Sequence, residues 1–209
     1  MAVTLRLYSD FVCPFCFVAE QSTVPRLRDE LGVVVDWRGF PLHPRTPKGG
    51  MPLTALFPAS RVPAAKEHLR QFAARFGVTG IVHPDHIPNT RRVLAMAEWA
   101  RGQGKLEEFR RAGMEAHWRG GNGLETDADL RRVAESVGLP GDEALAASDD
   151  ARYLTEVDAR IREAHELGVT GIPTFIFVSA SGDAEAVVGC QPFEALAAAA
   201  VRAGASARP

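Results

Sequence analysis

The segments with β character lie at the two ends of this chain, and the long stretch between them reads as helix. "VTLRLYS" (Val3–Ser9) alternates, with Val3, Leu5 and Leu7 on one side, the period of a half-buried strand. Pro14–Leu31 follows as a helix with Val18, Leu27 and Leu31 on its apolar side, Gly32 as its stop and a kink expected at Pro25. "VVVDWRGF" (Val33–Phe40) reads as a second strand, so the chain opens strand–helix–strand, the pattern of a parallel unit. At the other end, "PTFIFVS" (Pro173–Ser179), a turn at Ser181–Asp183 and "EAVVGC" (Glu185–Cys190) read as an antiparallel strand pair. A last helix begins with Pro192 at its first position and ends at Gly204, and Ala205–Pro209 is expected to fray. One sheet, split in sequence but joined in space, accounts for this order. The expected class is α/β with a large helical insertion.

The middle has two parts. Prolines at 41, 44, 47, 52, 58 and 63 make Pro41–Pro63 a long irregular connection, and such a loop inside a domain is usually functional or mobile. Helices are then expected over Ala64–Phe76, Arg91–Arg101, Leu106–Trp118, Asp127–Val137, Asp142–Ser148 and Ala151–Leu167. Thr126 reads as an N-cap, with Asp129 in the first turn and Gly138 and Pro140 as stops.

Charge is balanced, with 24 Lys+Arg against 26 Asp+Glu, which gives no basic face for nucleic acid. No stretch approaches the roughly 18 apolar residues of a membrane helix. "MAVTLRLYSD" shows no basic region leading an apolar run, so the expected location is cytoplasmic.

The chain has 3 cysteines, and two of them fall two residues apart, Cys13 and Cys16 in "SDFVCPFC". In a reducing cytosol a lasting structural bridge is disfavoured, which leaves catalysis or metal binding. A zinc site needs two more ligands. Cys190 is a candidate, but no second CxxC or HxxxH accompanies it. Two cysteines buried by chance is the plain alternative. The redox reading rests on position. Cys13 stands after a strand at the start of a helix, where free N–H groups and the helix dipole favour a thiolate. Pro14 is tolerated in the first turn, and Cys16, three residues on, lies on the same side. That arrangement offers a nucleophile and a resolving partner.

A second element, "GVTGIPTFIF", sets Pro173 before a β-rich run. Together, "SDFVCPFC" and "GVTGIPTF" resemble the DsbA-like branch of the thioredoxin superfamily, and most of all its FrnE-type dithiol oxidoreductases. "PNTRRVLAMAEWARGQGKLEEF" and "LETDADLRRVAESVGL" are similar to that family's helical insertion, so the resemblance spans nearly the whole chain. It implies a thioredoxin-like domain from residues 1–43 and 166–205, with 44–165 as a helical insertion entered by the Pro-rich loop. It also implies Cys13 as nucleophile, Cys16 as resolving thiol and a cis Ile172–Pro173 bond facing them. Pro14, Phe15, Ile172, Pro173 and Thr174 are the expected substrate-binding residues. Phe15 stands where the family usually has Trp. The strongest oxidants of the family carry His in the dipeptide, and this chain does not.

Other residues have plainer readings. Cys190 reads as a small buried hydrophobe, dispensable for chemistry. Asp10 reads as a cap on the turn into the first helix; His43, on the Pro-rich loop and able to reach the site, reads first as a surface histidine, and Asn89 as a helix cap, with contact to substrate or a small thiol as the alternative. The methionines, Trp99 and Trp118 read as core. Cys13 is expected to be exposed and Cys16 to be the more buried thiol.

Three functions compete. The first is a thiol–disulfide oxidoreductase acting on a disulfide-containing protein or small molecule, served by a thiol reductant or a reductase. No cofactor is expected beyond glutathione or another low-molecular-weight thiol as co-substrate. The second is a glutathione-dependent transferase of the kappa type, or an isomerase of the 2-hydroxychromene-2-carboxylate type. These share the architecture but carry Ser at the position of Cys13. The third is a non-catalytic interaction module.

Overall fold

The computed structural model describes residues 3–121 and 123–206. The central strand β1 (Thr4–Ser9) runs parallel to β2 (Val34–Gly39), from Thr4↔Val34 to Ser9↔Gly39. Its other edge pairs antiparallel with β5 (Thr174–Val178), from Thr4↔Val178 to Tyr8↔Thr174. β6 (Ala184–Val188) pairs antiparallel with β5, so the order is β2–β1–β5–β6. The two ends of the chain thus build one sheet, the thioredoxin-like arrangement that the resemblance implied.

Alternation along β1 gives the sheet two different faces. Leu5, Leu7 and the neighbouring Trp37 are buried on one. There Phe11 sets its ring edge-on to Trp37 at 5.5 Å and to Phe109 at 6.2 Å. On the other, Arg6, Tyr8 and Arg38 meet Glu163, and desolvation pushes the Tyr8 phenol up to about 12. Glu163 belongs to the last of six helices between β2 and β5. These are α3 (Val62–Ala74), α4 (Arg91–Gly102), α5 (Leu106–Trp118), α6 (Asp127–Glu135), α7 (Gly141–Ser148) and α8 (Ala151–Glu166). α4 packs against α5, α7 and α8. Its Arg101 donates to the Trp37 carbonyl at 2.6 Å, occupying a group that edge strand β2 would leave open.

The structure differs from the sequence reading in several places. The single helix kinked at Pro25 is two helices, α1 (Pro14–Gln21) and α2 (Thr23–Leu31), broken at Ser22 with φ −125° and ψ −70°. Pro25 has no N–H for the Gln21 carbonyl and its ring crowds that group, so the ladder ends upstream of the proline. Ser22 Oγ donates to Val18 O at 2.6 Å and Thr23 Oγ1 to Ala19 O at 3.3 Å, filling carbonyls that the break frees.

The connection Pro41–Pro63 is not irregular throughout. It holds β3 (Met51–Pro52), which pairs with β4 (His86–Ile87), and two single turns at Leu53–Ala55 and Ala59–Arg61. Gly50, at φ 77°, lies so close to His86 that a Cβ would stand 2.0 Å from its Nε2. α3 begins at Val62 because Pro63 fits in a first helical turn, and it ends at Ala74, short of Phe76.

The last helix, α9 (Phe193–Arg202), is capped by Pro192 rather than started by it. Ala205 is not frayed: it is 9% exposed and donates to Ala200 O at 2.9 Å. Ser206 is exposed, and the rest of the expected fray, 207–209, lies outside the described residues. Met96 and Met114 are core as expected, whereas Met51 is half-buried in β3.

One buried ion pair ties α1 to the helical block. Glu20 and Arg110 of α5 are hydrogen-bonded, with side chains 4% and 5% exposed. Burial pushes the Glu20 carboxyl up, and the guanidinium opposes that shift. Arg110→Met leaves this carboxylate unpaired, with an expected loss of about 3–5 kcal/mol in urea unfolding. A Glu20→Leu/Arg110→Met double variant should recover most of it. A single-variant loss under about 1 kcal/mol, the range of a surface pair, would refute the assignment.

Candidate active site

β1 hands over to α1 through a tight turn in which the Cys13 N–H donates to Asp10 O at 3.3 Å. Cys13 is the N-cap of α1, in extended backbone at φ −84° and ψ 116°, and Pro14 follows inside the first turn. The sulfur does what a capping oxygen does elsewhere, accepting the Cys16 N–H at 3.4 Å. Opposite stands the loop before β5. Its Ile172–Pro173 bond is cis, and the Cys13 thiol donates to Ile172 O at 3.7 Å across a sequence gap of 159 residues.

The exposure expected for Cys13 is overturned. Cys13 and Cys16 are each 1% exposed, because the cis-prolyl loop and the helical block close over the helix end. The Cys16 thiol is pushed well above the ordinary thiol range by burial, and the hydrogen bond to Cys13 and its charge add to this.

The other expected site residues divide. Pro14 is half-buried. Phe15 is 38% exposed and stands edge-on to Phe72 of α3 at 4.9 Å. Ile172 and Pro173 are buried beside Cys13, and the Pro173 carbonyl is already taken by Gly189 N–H at 2.8 Å. Thr174 is 2% exposed, with its hydroxyl on Gly171 O at 2.6 Å. Its side chain therefore pins the loop.

Cys190 is not remote. Half-buried after β6, it lines a second cavity of about 580 Å³ with Phe72 and Arg75, and burial followed by the charge of Cys13 pushes it up to about 12. Asn89 is not the helix cap: Thr90 holds the N-cap position of α4, and Asn89, one residue earlier, takes Arg91 N–H at 2.9 Å and donates to Thr46 O at 2.6 Å, which anchors the Pro-rich loop. Trp99 and Trp118 are core, and Trp118 Nε1 donates to Phe11 O at 2.9 Å.

Sequence reasoning missed a cavity of about 480 Å³ in front of Cys13. Val12, Cys13, Phe15, Leu53, Phe57 and Leu69 are among the side chains that line it. Five of the chain's six histidines line it: His43, His68, His83, His86 and His117. His43 is thus a cavity residue rather than a plain surface one. Apart from His83 and His86, these side chains come from separate segments, so no spacing in the sequence announces the cavity. Among the described residues no three His, Cys, Asp or Glu side chains are grouped to hold a metal.

A dithiol at a helix end, facing a cis-prolyl loop across a mixed sheet, defines a thioredoxin-type domain. The chain belongs to the DSBA-like thioredoxin domain family, whose model matches residues 4–201. It is 28% identical over 184 residues to YwbO of Bacillus subtilis, covering 84% of this chain and 87% of that one. It is also 28% identical over 184 residues to 2-hydroxychromene-2-carboxylate isomerase of Sphingobium xenophagum, covering 83% and 88%. The structure of SCO1869 from Streptomyces coelicolor, described as a probable DsbA oxidoreductase, superposes with a TM-score of 0.85 at 28% identity, covering 96% of this chain and 89% of that one.

Asp10 does more than cap a turn. It is fully buried. Its Oδ2 takes Leu42 N–H at 2.7 Å and the Thr90 hydroxyl at 3.3 Å, while Oδ1 has no partner. Desolvation outweighs these bonds and raises the carboxyl from 3.8 to about 7. A raised folded-state value means stability that is fully present below the unfolded value and lost as pH climbs through the folded one. The loss is on the order of 4 kcal/mol. Asp10→Asn removes that titration. Its stability relative to wild type should therefore rise steadily between about pH 4 and pH 7 in urea titrations. A flat difference across that window would show that Asp10 ionises normally.

Proposed function

We propose that the protein is a thiol–disulfide oxidoreductase in which Cys13 attacks and Cys16 resolves. One observation carries this reading. Cys13 Sγ sits at the N-terminus of α1 in contact with the cis-prolyl loop, and the second thiol lies one turn behind it. Cys13 thiolate attacks one sulfur of the substrate disulfide, and the departing thiolate leaves with the electron pair and takes a proton from solvent. Cys16 then attacks Cys13 Sγ in the mixed disulfide, releases the second thiol and leaves a Cys13–Cys16 disulfide. Two electrons have passed to substrate. A low-molecular-weight thiol such as glutathione, or a reductase, returns them.

Without a histidine between the cysteines, the potential is expected below about −120 mV, towards the reductase range. Such an activity suits a reducing compartment, and we assign the protein to the cytosol. No helix of the described residues is long and apolar enough to cross a membrane. The similarity to 2-hydroxychromene-2-carboxylate isomerase supports a second reading, glutathione-dependent isomerisation. Cys16 weighs against it, because that chemistry needs no resolving thiol.

Insulin reduction with dithiothreitol is the direct test. Wild type should accelerate it, Cys13→Ser should fall to the uncatalysed rate, and Cys190→Ser should retain activity. Cys16→Ser should collect mixed disulfides on Cys13 in a cell extract. Equal rates for wild type and Cys13→Ser, with no adducts on Cys16→Ser, would end the oxidoreductase reading and favour the isomerase.

A further inference from the structure

The cavity before Cys13 has a distinct chemistry. Of the large apolar side chains exposed on the described residues, Phe15, Leu56 and Phe57 all stand at its rim. No Lys, Arg, Asp or Glu contributes to its lining. An ionised ligand group placed inside would lose water and find no carboxylate, ammonium or guanidinium as counter-charge. The polar groups present are imidazoles. His117 is 3% exposed, its Nδ1 has no partner, and its ring lies edge-on to Trp118 at 4.9 Å. Burial lowers His43 and His83 and brings His117 down to about 3, so these three rings are neutral at pH 7. A neutral imidazole offers one donor and one acceptor, the complement of a hydroxyl group. The volume of about 480 Å³ is that of a small-molecule site.

We propose that this cavity binds a small, uncharged, largely apolar disulfide bearing a hydroxyl group, with the hydroxyl on His117 and the disulfide against Cys13. The bond changes rest on the oxidoreductase reading: Cys13 Sγ bonds to one ligand sulfur as the ligand S–S bond breaks, and Cys16 then releases the second thiol. Two equivalents of a low-molecular-weight thiol restore the dithiol. Occupancy of the cavity does not depend on that chemistry.

The experiment separates the two. Bis(para-hydroxyphenyl) sulfide, a thioether that cannot be reduced, is titrated into the reduced protein by calorimetry. One molecule per chain is expected to bind. Diphenyl sulfide, which lacks the hydroxyls, should bind about tenfold more weakly, the value of one buried hydrogen bond. His117→Phe should erase that difference. Ala65→Trp on α3, which fills the cavity from its wall, should abolish binding with the melting transition retained, which keeps the test decisive if His117→Phe does not fold. Bis(para-hydroxyphenyl) disulfide should be reduced with a kcat/KM at least tenfold above glutathione disulfide, each normalised to its rate with dithiothreitol alone. Failure of the thioether to bind, or binding indifferent to Ala65→Trp, overturns the proposal even if insulin is reduced. Binding together with insulin reduction but no preference for the aryl disulfide also overturns it. Binding without reduction of insulin or the aryl disulfide overturns the oxidoreductase reading instead and leaves a small-molecule site.

Discussion

The antiparallel pairing of β1 with β5 is the contact on which the rest depends. Tyr8↔Thr174 is its last register pair, so the end of the first strand and the beginning of the fifth share one edge of the sheet. The α1 cap and the cis-prolyl loop grow from those two ends, which is how residues 159 apart come to share a thiol contact. A one-residue slip would turn Leu5 and Leu7 out of the core and carry Thr174 away from the loop it pins. The pairing also fixes the helical block. α8 leads directly into the loop before β5, and its Glu163 is clamped by Arg6 and Arg38 of the two neighbouring strands. Block and sheet are therefore one packing problem, and the cavity forms where they meet.

Strand and helix periods carry information about which face of an element is buried, and those parts of the fold were legible. The alternation of Val3–Ser9, the punctuation around Thr126 and the Leu106–Trp118 helix agree with the structure to within a residue. The motif carried the rest of the site's frame, including the cis bond at Ile172. Periodicity says nothing about contacts between elements. The break at Ser22 escaped because a proline acts on the carbonyl four residues upstream, so its effect is displaced from its position. The strand pair at Met51 and His86 escaped because two residues are too few for any period. The burial of Cys13 and the histidine-lined cavity escaped for the same reason. Both are made by side chains from the Pro-rich loop, α3, α5 and the cis-prolyl loop, and only the closed structure brings them together.

Burial of the dithiol has a consequence for the order of events. Cys16 is held as a thiol by desolvation and also by the hydrogen bond and charge of Cys13. The first cause is permanent. The second and third act through Cys13 Sγ, and a mixed disulfide there has neither a charge nor a thiol hydrogen, so it removes both. The resolving thiol is therefore least nucleophilic before substrate has bound and becomes easier to ionise once the intermediate forms. Ser9 and the Asp10 backbone N–H, which favour the Cys16 thiolate, are already in place when that happens. Phe15 and Phe72 stand edge-on to each other beside the same helix end. The low dielectric that makes Cys16 a poor nucleophile at rest is thus what makes its activation depend on the first step.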